Sequence, residues 1–151
     1  MKSYLTLLLC TYCGREFCSE DRNRLCNHCG KVLYPQYDTN SARSSFTKDV
    51  LKGRSPNMWR YFEMMPIRDP SNIVSLGEGF TPIFEANSLG DTLESANLFI
   101  KDEGLNPTAS FKARGLSAAV SKAKELGIEK LTIPSAGNAA SAMSAYAARG
   151  G

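Results

Sequence analysis

The sequence of 151 residues has no apolar run that approaches the length of a membrane span. Its one apolar run near the start, residues 5–9, follows Lys2 and leads directly into Cys10 instead of a small-residue cleavage site. A secretory signal peptide is therefore not predicted, and we expect a cytoplasmic protein without membrane contact. In a reducing compartment, cysteines are expected as thiols or metal ligands rather than as disulfides.

An excess of charge of one sign is also lacking. Lysine and arginine number 18 against 15 acidic residues, which gives a net charge of +3 that is spread along the chain without a basic run. This pattern predicts neither a nucleic-acid partner nor attraction to an anionic membrane surface. Histidine is scarcer still, since His28 is the only one, and it lies inside a cysteine pair where we expect it to face solvent.

Four of the five cysteines form a repeated pattern. Cys-x-x-Cys-Gly occurs at residues 10–14 and again at residues 26–30, with 12 residues between Cys13 and Cys26. Two such turns facing each other supply four thiolates at tetrahedral angles, the arrangement of a structural zinc site. The predicted zinc ligands are Cys10, Cys13, Cys26 and Cys29. A disulfide framework or a redox-active pair is the alternative, although the duplication argues against the redox pair, and Cys18 is interpreted as a free thiol.

The amino-terminal third of the chain is predicted to divide into a module and a linker. Residues 1–34 are interpreted as a zinc-ribbon-like module in which strands at residues 5–9 and 31–34 flank the knuckles. So short a segment cannot bury a core of its own, and the metal replaces one. Residues 35–56 are polar and rich in turn formers, so they are interpreted as a linker with one helical turn near residues 48–51.

Two further segments precede the main motif. Residues 58–65 carry bulky side chains and are predicted to form a short helix, ended by Pro66, that docks on the main domain. In residues 76–82, two glycines and a proline surround Glu78, which predicts an unusual backbone conformation. Whether Glu78 is a buried charge or the decoration of a turn stays open at this point.

The segment from Asn106 to Gly115 is the one around which the chain is organised. Pro107 holds its predecessor extended, and Thr108 or Ser110 can cap a new helix whose apolar stripe ends at Gly127. Lys112 then lies in the first helical turn, where the helix dipole disfavours a cation. A lowered amine pKa is what Schiff-base chemistry requires, although an ordinary solvated lysine fits the same position.

The order of elements predicts an α/β fold. Strands are predicted at residues 97–101 and 130–134, each followed by a turn and a helix, with the second helix at residues 139–149. This is half of a doubly wound parallel sheet, whose ligand crevice lies at the carboxyl ends of its strands. The turns at 106–112 and 135–138 should face the same crevice.

Three motifs in this order resemble a known family. They are Leu-Gly-Glu-Gly-Phe-Thr-Pro (76–82), Asn-Pro-Thr-Ala-Ser-Phe-Lys-Ala-Arg-Gly (106–115) and Ser-Ala-Gly-Asn-Ala-Ala (135–140) with Ala-Tyr-Ala-Ala-Arg-Gly (145–150). The chain resembles pyridoxal-phosphate enzymes of the tryptophan synthase β-like fold, most closely the threonine synthase family. Trp-Arg-Tyr (59–61) and the four-cysteine knuckle are similar to one branch of that family. The resemblance implies a three-layer arrangement around a parallel sheet.

The resemblance also implies roles for particular residues. Lys112 would form the Schiff base with pyridoxal phosphate, and Asn138 would hydrogen-bond the phenolic oxygen of the cofactor. Ser135, Gly137 and the amides at the start of the 138–149 helix would hold the α-carboxylate of an amino-acid substrate. The implied reaction converts O-phospho-L-homoserine and water to L-threonine and phosphate. A serine or threonine ammonia-lyase of the same fold is the alternative.

The sequence departs from the family in two respects. Ala109 and Ala113 stand where the family's lysine motif usually has glycine and aspartate, which weakens the assignment of the substrate. No glycine-rich phosphate loop follows the second helix within the sequence, and no partner for the pyridine nitrogen is present. We therefore expect residues 57–151 to be the incomplete amino-terminal part of a catalytic domain, inactive alone and with a homodimer conceivable at full length. A non-catalytic zinc-knuckle fragment is the alternative from another class.

Overall fold

The computed structural model describes residues 1–95 and 97–151, and it begins with a small antiparallel sheet. Its strands are β1 (Leu5–Cys10), β2 (Glu16–Cys18) and β3 (Leu33–Tyr37), in the order β2-β1-β3. The strand predicted at residues 5–9 is confirmed. The strand predicted at residues 31–34 begins two residues later than expected and continues into the segment interpreted as a linker. The short strand β2 was not predicted.

Two helices with side-chain caps follow the sheet. Helix α1 (Thr39–Ser45) begins where the Asp38 carboxylate accepts a hydrogen bond from the Ser41 amide at 2.9 Å. Helix α2 (Lys48–Lys52) is capped by the Thr47 hydroxyl in the same way. The helical turn predicted at residues 48–51 is confirmed. Helix α1 was missed, although Asp38 is the type of residue that starts a helix.

A 3-10 helix, Met58–Met64, packs its bulky side chains into the molecule. Met58, Trp59 and Phe62 are buried with Ile67 in one apolar cluster, and Ala118 packs against that cluster. The prediction of a short docking helix at this place is confirmed. Burial of several large side chains is what holds so short a helix in position.

A two-stranded ribbon interrupts the helices. Strand β4 (Ile83–Glu85) pairs with β5 (Phe99–Lys101) in antiparallel register, and helix α3 (Asn87–Thr92) lies between them in the chain. Phe84 is paired with Ile100 across the ribbon.

The carboxyl-terminal half is dominated by helices α4 (Lys112–Glu125) and α5 (Asn138–Gly150). Val74, Ala113, Val120, Ala142 and Tyr146 form their common core. Ser117 of α4 and Tyr146 of α5 bind the same carboxylate, and a Cβ atom on Gly150 would lie 3.6 Å from Val120 Cγ1. Residue 117 thus lies near residue 146, and residue 120 lies near residue 150. Because the residue numbers rise in the same direction along both helices, α4 and α5 run parallel and begin at the same end. Among the described residues, no helix combines the length and the apolarity needed to cross a membrane.

The strand predicted at residues 130–134 is wrong, and the predicted parallel sheet is not confirmed. Within the described residues, both sheets are antiparallel, and residues 130–134 have no strand partner. The hydrogen-bonding partner of β5 is β4 rather than the segment after α4. A parallel strand is stable only with neighbours beside it and covering layers on both faces. Leu131 keeps 39% of its surface exposed, so this covering is absent here.

Candidate functional site

The four predicted zinc ligands converge at one point. The Sγ atoms of the two Cys-x-x-Cys turns all lie within 4.8 Å of one another. Cys10 Sγ is 3.4 Å from Cys29 Sγ, and Cys13 Sγ is 3.6 Å from Cys26 Sγ. Four sulfurs at about 2.3 Å from a tetrahedral zinc ion are separated by about 3.8 Å, so the cluster has the size of a zinc site.

The backbone around the cluster shows why each turn carries a glycine. The Gly14 amide donates to the Cys10 carbonyl at 3.2 Å, and the Gly30 amide donates to the Cys26 carbonyl at 2.8 Å. Both glycines have left-handed φ values, 71° and 70°, which a side chain would disfavour. His28 is exposed, as expected for a residue inside such a turn.

The electrostatics of the cluster favour a cation. The backbone amide of Cys13 lowers the pKa of the Cys10 thiol to about 6, whereas burial raises the pKa of the Cys29 thiol to about 12. Four thiolates so close together repel one another, and a divalent ion removes that repulsion. Four soft sulfur donors at tetrahedral distances fit zinc. Because sulfur fills every ligand position, this is the chemistry of a structural site.

The second site is the start of α4. The preceding turn holds two non-glycine residues in the left-handed region, Thr108 at φ 65° and Ala109 at φ 51°. The Ser110 hydroxyl then accepts a hydrogen bond from the Lys112 amide at 3.2 Å, so Ser110 and not Thr108 satisfies the start of the helix. In the described part of the chain, Thr108 Oγ1 is buried without a hydrogen-bond partner. Strain and an unsatisfied hydroxyl mark this turn as a candidate functional site.

Lys112 is the first residue of α4 and is half-buried. Its Nζ lies 4.4 Å from the centroid of the Phe111 ring. Within residues 1–95 and 97–151, this amine has no hydrogen-bond or salt-bridge partner. An amine that is held at a helix start without a carboxylate beside it remains available to a carbonyl group.

An ion pair that the sequence did not predict braces the strained turn. Arg114 binds Glu103 through two hydrogen bonds, Nε to Oε2 at 2.6 Å and Nη2 to Oε1 at 2.7 Å. Thr81 and Asn106 also donate to this carboxylate. The Arg114 guanidinium and these donors lower the pKa of Glu103 to about 2. The only sequence signal was the position of Arg114, two residues after Lys112 in the motif.

Glu78 is a buried charge and not a turn decoration. Its carboxylate accepts hydrogen bonds from Trp59 Nε1 at 2.8 Å, Ser117 Oγ at 2.6 Å and Tyr146 OH at 2.7 Å. Burial alone would raise its pKa, but bonds from Ser117, Tyr146 and the Leu76 amide outweigh burial and hold the pKa below its ordinary value. The expected unusual backbone is also present, with Gly77 at φ 91° and Gly79 at φ 95°.

The start of α5 carries the other predicted site residues. Gly137 precedes the helix, Asn138 is its exposed first residue, and no side chain caps the helix among the described residues. The Ser135 hydroxyl accepts from the Gly137 amide at 3.2 Å. Without a side-chain cap, the first amides of α5 are available to hold an anion. Since α4 and α5 are parallel, Lys112 and Asn138 lie at the same end of the helix pair.

Residues 74–151 match the sequence profile of one family, and the chain therefore belongs to the family described as pyridoxal-phosphate dependent enzyme. It is similar to the threonine synthase of Methanocaldococcus jannaschii, with 39% identity over 142 residues that cover 94% of this chain and 35% of that protein. It is also 35% identical to the threonine synthase of Methanosarcina acetivorans over 145 residues, 95% of this chain and 35% of that protein. The chain thus spans about 35% of the length of these two relatives.

A third relative matches a shorter stretch. The threonine synthase of Synechocystis is 41% identical over 92 residues, which cover 60% of this chain and 24% of that protein.

The residues of the helix-start site fit pyridoxal phosphate. The Lys112 amine is without a partner in the described structure, Thr108 Oγ1 lacks a hydrogen bond, and the first turn of α5 offers free amides. An amine, a hydroxyl and an anion-binding helix end are the donor groups that a phosphorylated aldehyde and an amino-acid carboxylate need.

Proposed function

We propose that this chain carries the lysine-bearing part of the active site of a threonine synthase-like lyase that uses pyridoxal phosphate. The proposed reaction converts O-phospho-L-homoserine and water to L-threonine and phosphate. The observation that carries the proposal is the Lys112 amine, which has no partner among the described residues and lies at a strained helix start beside the open amino end of a parallel helix. The similarity to three threonine synthases supports the choice of substrate.

Each residue has a proposed task. Lys112 holds the cofactor through its amine and, once released, moves protons at the substrate Cα and beyond. Asn138 hydrogen-bonds the phenolic oxygen of the cofactor ring. Ser135, Gly137 and the first amides of α5 hold the substrate carboxylate. When bound, pyridoxal phosphate supplies an electron sink for charge that develops at Cα.

The role of Lys112 is tested by borohydride reduction with pyridoxal phosphate and peptide mapping, using the product of the complete reading frame that encodes residues 1–151. We expect the label on Lys112 and its loss in Lys112→Ala, together with loss of visible absorbance. Lys124→Ala is the matched control, because Lys124 is an exposed lysine of the same helix. A label on another lysine in the complete product would remove Lys112 from this role.

For residues 1–151 by themselves we expect weak and unselective labelling. The chain spans about 35% of the length of two threonine synthases that it resembles, so we expect it to supply only part of the groups that hold the cofactor phosphate. Phosphate contacts are charge-assisted hydrogen bonds that contribute roughly 1.5–3 kcal/mol each. Tight, selective labelling of Lys112 in this shorter chain would contradict our interpretation of its site as incomplete.

A serine or threonine ammonia-lyase of the same fold is the second candidate, because Ala113 stands where the lysine motif of the threonine synthase family usually has aspartate. Ala113 is fully buried in the core between α4 and α5, so an aspartate at this position would be an uncompensated buried charge. The two reactions are distinguished by their products. Release of phosphate from O-phosphohomoserine supports the first candidate, whereas release of ammonia from threonine or serine supports the second.

We further propose that Cys10, Cys13, Cys26 and Cys29 bind one structural zinc ion. Protein purified without chelator should contain about one zinc ion per chain, held by four thiolates. Cys10→Ser combined with Cys26→Ser should abolish binding, whereas Cys18→Ser should retain it because Cys18 lies outside the cluster. Stoichiometric zinc that survives the double substitution would refute this site.

A further inference from the structure

Residues 1–34, here called the cysteine module, contact the carboxyl end of α4 through Arg22. The helix closes with two backbone bonds, from the Ile128 amide to the Ala123 carbonyl at 2.9 Å and from the Gly127 amide to the Lys124 carbonyl at 3.0 Å. This Schellman closure leaves the carbonyls of Leu126 and Gly127 open. Arg22 fills them: its Nη2 donates to the Leu126 carbonyl at 3.1 Å and to the Gly127 carbonyl at 3.0 Å.

Arg22 is well suited to this position. Its Nε donates to the Leu126 carbonyl as well, at 3.2 Å, so the guanidinium uses two of its nitrogens on the helix end. A cation at the carboxyl end of a helix also interacts favourably with the helix dipole. The contact joins residues more than one hundred positions apart in the sequence, 22 and 126–127.

Two residues close to Arg22 in the sequence, Ser19 and Glu20, contact Arg68. Arg68 forms a salt bridge with Glu20, Nε to Oε1 at 2.7 Å, and its Nη2 donates to the Ser19 hydroxyl at 3.3 Å. The backbone amide of Arg68 in turn donates to Glu125 Oε1 at 2.7 Å. Glu125 also binds Lys122 at 2.7 Å, with both side chains largely buried. The loop, the segment at Arg68 and the last turn of α4 are therefore joined by polar contacts.

The loop that makes these contacts is bounded by predicted zinc ligands. Residues 14–25, here called the inter-knuckle loop, connect Cys13 to Cys26 and include the short strand β2. Asn23 Nδ2 donates to the Cys18 carbonyl at 2.7 Å, which folds the loop on itself. A metal ion that binds both cysteines fixes the two ends of the loop and lowers the entropy cost of ordering the residues between them.

We propose that the inter-knuckle loop clamps the carboxyl end of α4, with Arg22 as its positioning residue, and that zinc holds the clamp in place. The proposal rests on the zinc site proposed above. Loss of zinc frees the loop, Arg22 leaves the two carbonyls, and the helix that begins with Lys112 frays from its far end. The cysteine module is then a support for the lysine helix rather than a separate binding domain.

Hydrogen exchange of residues 122–128, followed by mass spectrometry, tests the clamp on the full chain with and without zinc. In the unchanged protein, we expect removal of zinc to speed exchange about two- to fivefold, the range that a cation at a helix end provides. Arg22→Ala should exchange at the faster rate with zinc bound and change little when zinc is removed. The exchange rate of Arg22→Lys should lie between those of the unchanged protein and Arg22→Ala. Lysine keeps the positive charge but lacks the planar guanidinium that bonds both carbonyls.

Arg24→Ala is the matched control. Arg24 is an exposed arginine of the same loop that has no polar contact with α4 in the described residues, so its loss should leave the zinc-dependent change intact. Metal analysis of Arg22→Ala, with zinc still at full occupancy, would show that the variant acts on the clamp and not on the site. Equal exchange in Arg22→Ala and the unchanged protein would overturn the clamp.

The two proposals fail separately. If the chain binds no zinc, the metal dependence is refuted, and comparison of Arg22→Ala with Arg24→Ala still decides whether Arg22 holds the helix end. If zinc binds but its removal leaves exchange at residues 122–128 unchanged, the zinc site stands and its coupling to α4 is refuted.

Discussion

At the scale of single residues, Glu78 joins the 3-10 helix, α4 and α5 through hydrogen bonds to its carboxylate. It is fully buried, and its hydrogen-bond donors come from the 3-10 helix, α4, α5 and its own loop. All of these donors are neutral, so the hydrogen bonds of the carboxylate come from dipoles and not from a salt bridge. Such a site tolerates only an acceptor with several lone pairs.

Glu78→Gln should therefore lower the free energy of unfolding by about 2–4 kcal/mol. The amide NH₂ replaces one acceptor oxygen and meets a donor, which leaves buried donors unsatisfied. Urea unfolding followed by the fluorescence of Trp59, the only tryptophan, measures the change. Glu85→Gln on the exposed strand β4 is the control and should change stability by less than about 0.5 kcal/mol. A small effect at Glu78 would contradict its structural role.

Protonation of Glu103 in acid should lower the free energy of unfolding of the chain. Its pKa is lowered to about 2 in the folded chain, chiefly by Arg114, whereas an unfolded glutamate titrates near 4.3. A carboxyl with a lowered folded pKa stabilises the fold above its unfolded pKa, and that stabilisation is lost as the pH falls from about 5 to about 2.

The measurement is the free energy of unfolding between pH 7 and pH 2, compared between the unchanged chain and Glu103→Gln. We expect the unchanged chain to lose on the order of 1 kcal/mol more, since the pair is partly open to solvent. The comparison cancels any loss of metal from the cysteine cluster in acid, because that loss would affect both proteins equally. Identical pH profiles would show that the ion pair contributes nothing.

At the scale of elements, the end of α4 is set by backbone geometry. Gly127 has φ 62°, the left-handed conformation required by the Schellman closure. Gly115 lies inside the same helix, and nothing lies within 4 Å of a Cβ atom built there. Substitution of alanine for glycine is therefore expected to have opposite effects on stability at these two positions.

Gly127→Ala should destabilise the chain by about 1 kcal/mol, because alanine resists the left-handed region. Gly115→Ala should stabilise it by up to about 1 kcal/mol, because alanine is the better helix former. Thermal and urea unfolding of both variants measure the difference. Equal effects of the two substitutions would contradict the assigned end of α4.

At the scale of the whole molecule, both strands of the ribbon β4–β5 are exposed along their full length. Phe84 and Ile100 face each other across the ribbon and keep 51% and 48% of their surface exposed. On the opposite face, Ile83 and Phe99 are also exposed. A two-stranded ribbon without a covered face is marginal by itself.

We expect the chain to bind a hydrophobic dye such as ANS, and Phe84→Thr with Ile100→Thr to reduce that binding. Because both side chains are only half-buried, the pair should cost less than about 1 kcal/mol of stability. Val74→Thr in the core is the contrasting variant and should destabilise without reducing dye binding. Unchanged dye fluorescence in the double variant would place the exposed apolar surface elsewhere.

Local sequence determined the features that depend on neighbouring residues. The spacing of Cys10, Cys13, Cys26 and Cys29 predicted a cluster that the structure assembles, because each pair is closed by a turn of a few residues. Gly127 predicted the end of α4, and of the two candidate caps for its start, Thr108 and Ser110, the structure uses Ser110. Lys112 was placed in the first turn of α4 for the same reason, and its proposed role came from the motif around it.

Tertiary structure alone decided the features that depend on distant partners. Residues 130–134 have the composition of a strand, but a strand forms only where a neighbouring strand accepts its hydrogen bonds. The partners of Glu78 and Arg22 lie far away in the sequence, and no periodicity indicates them. Helix caps and metal turns are encoded within a few residues, whereas sheet pairing, buried charge and contact between modules are set by which surfaces the folded chain brings together.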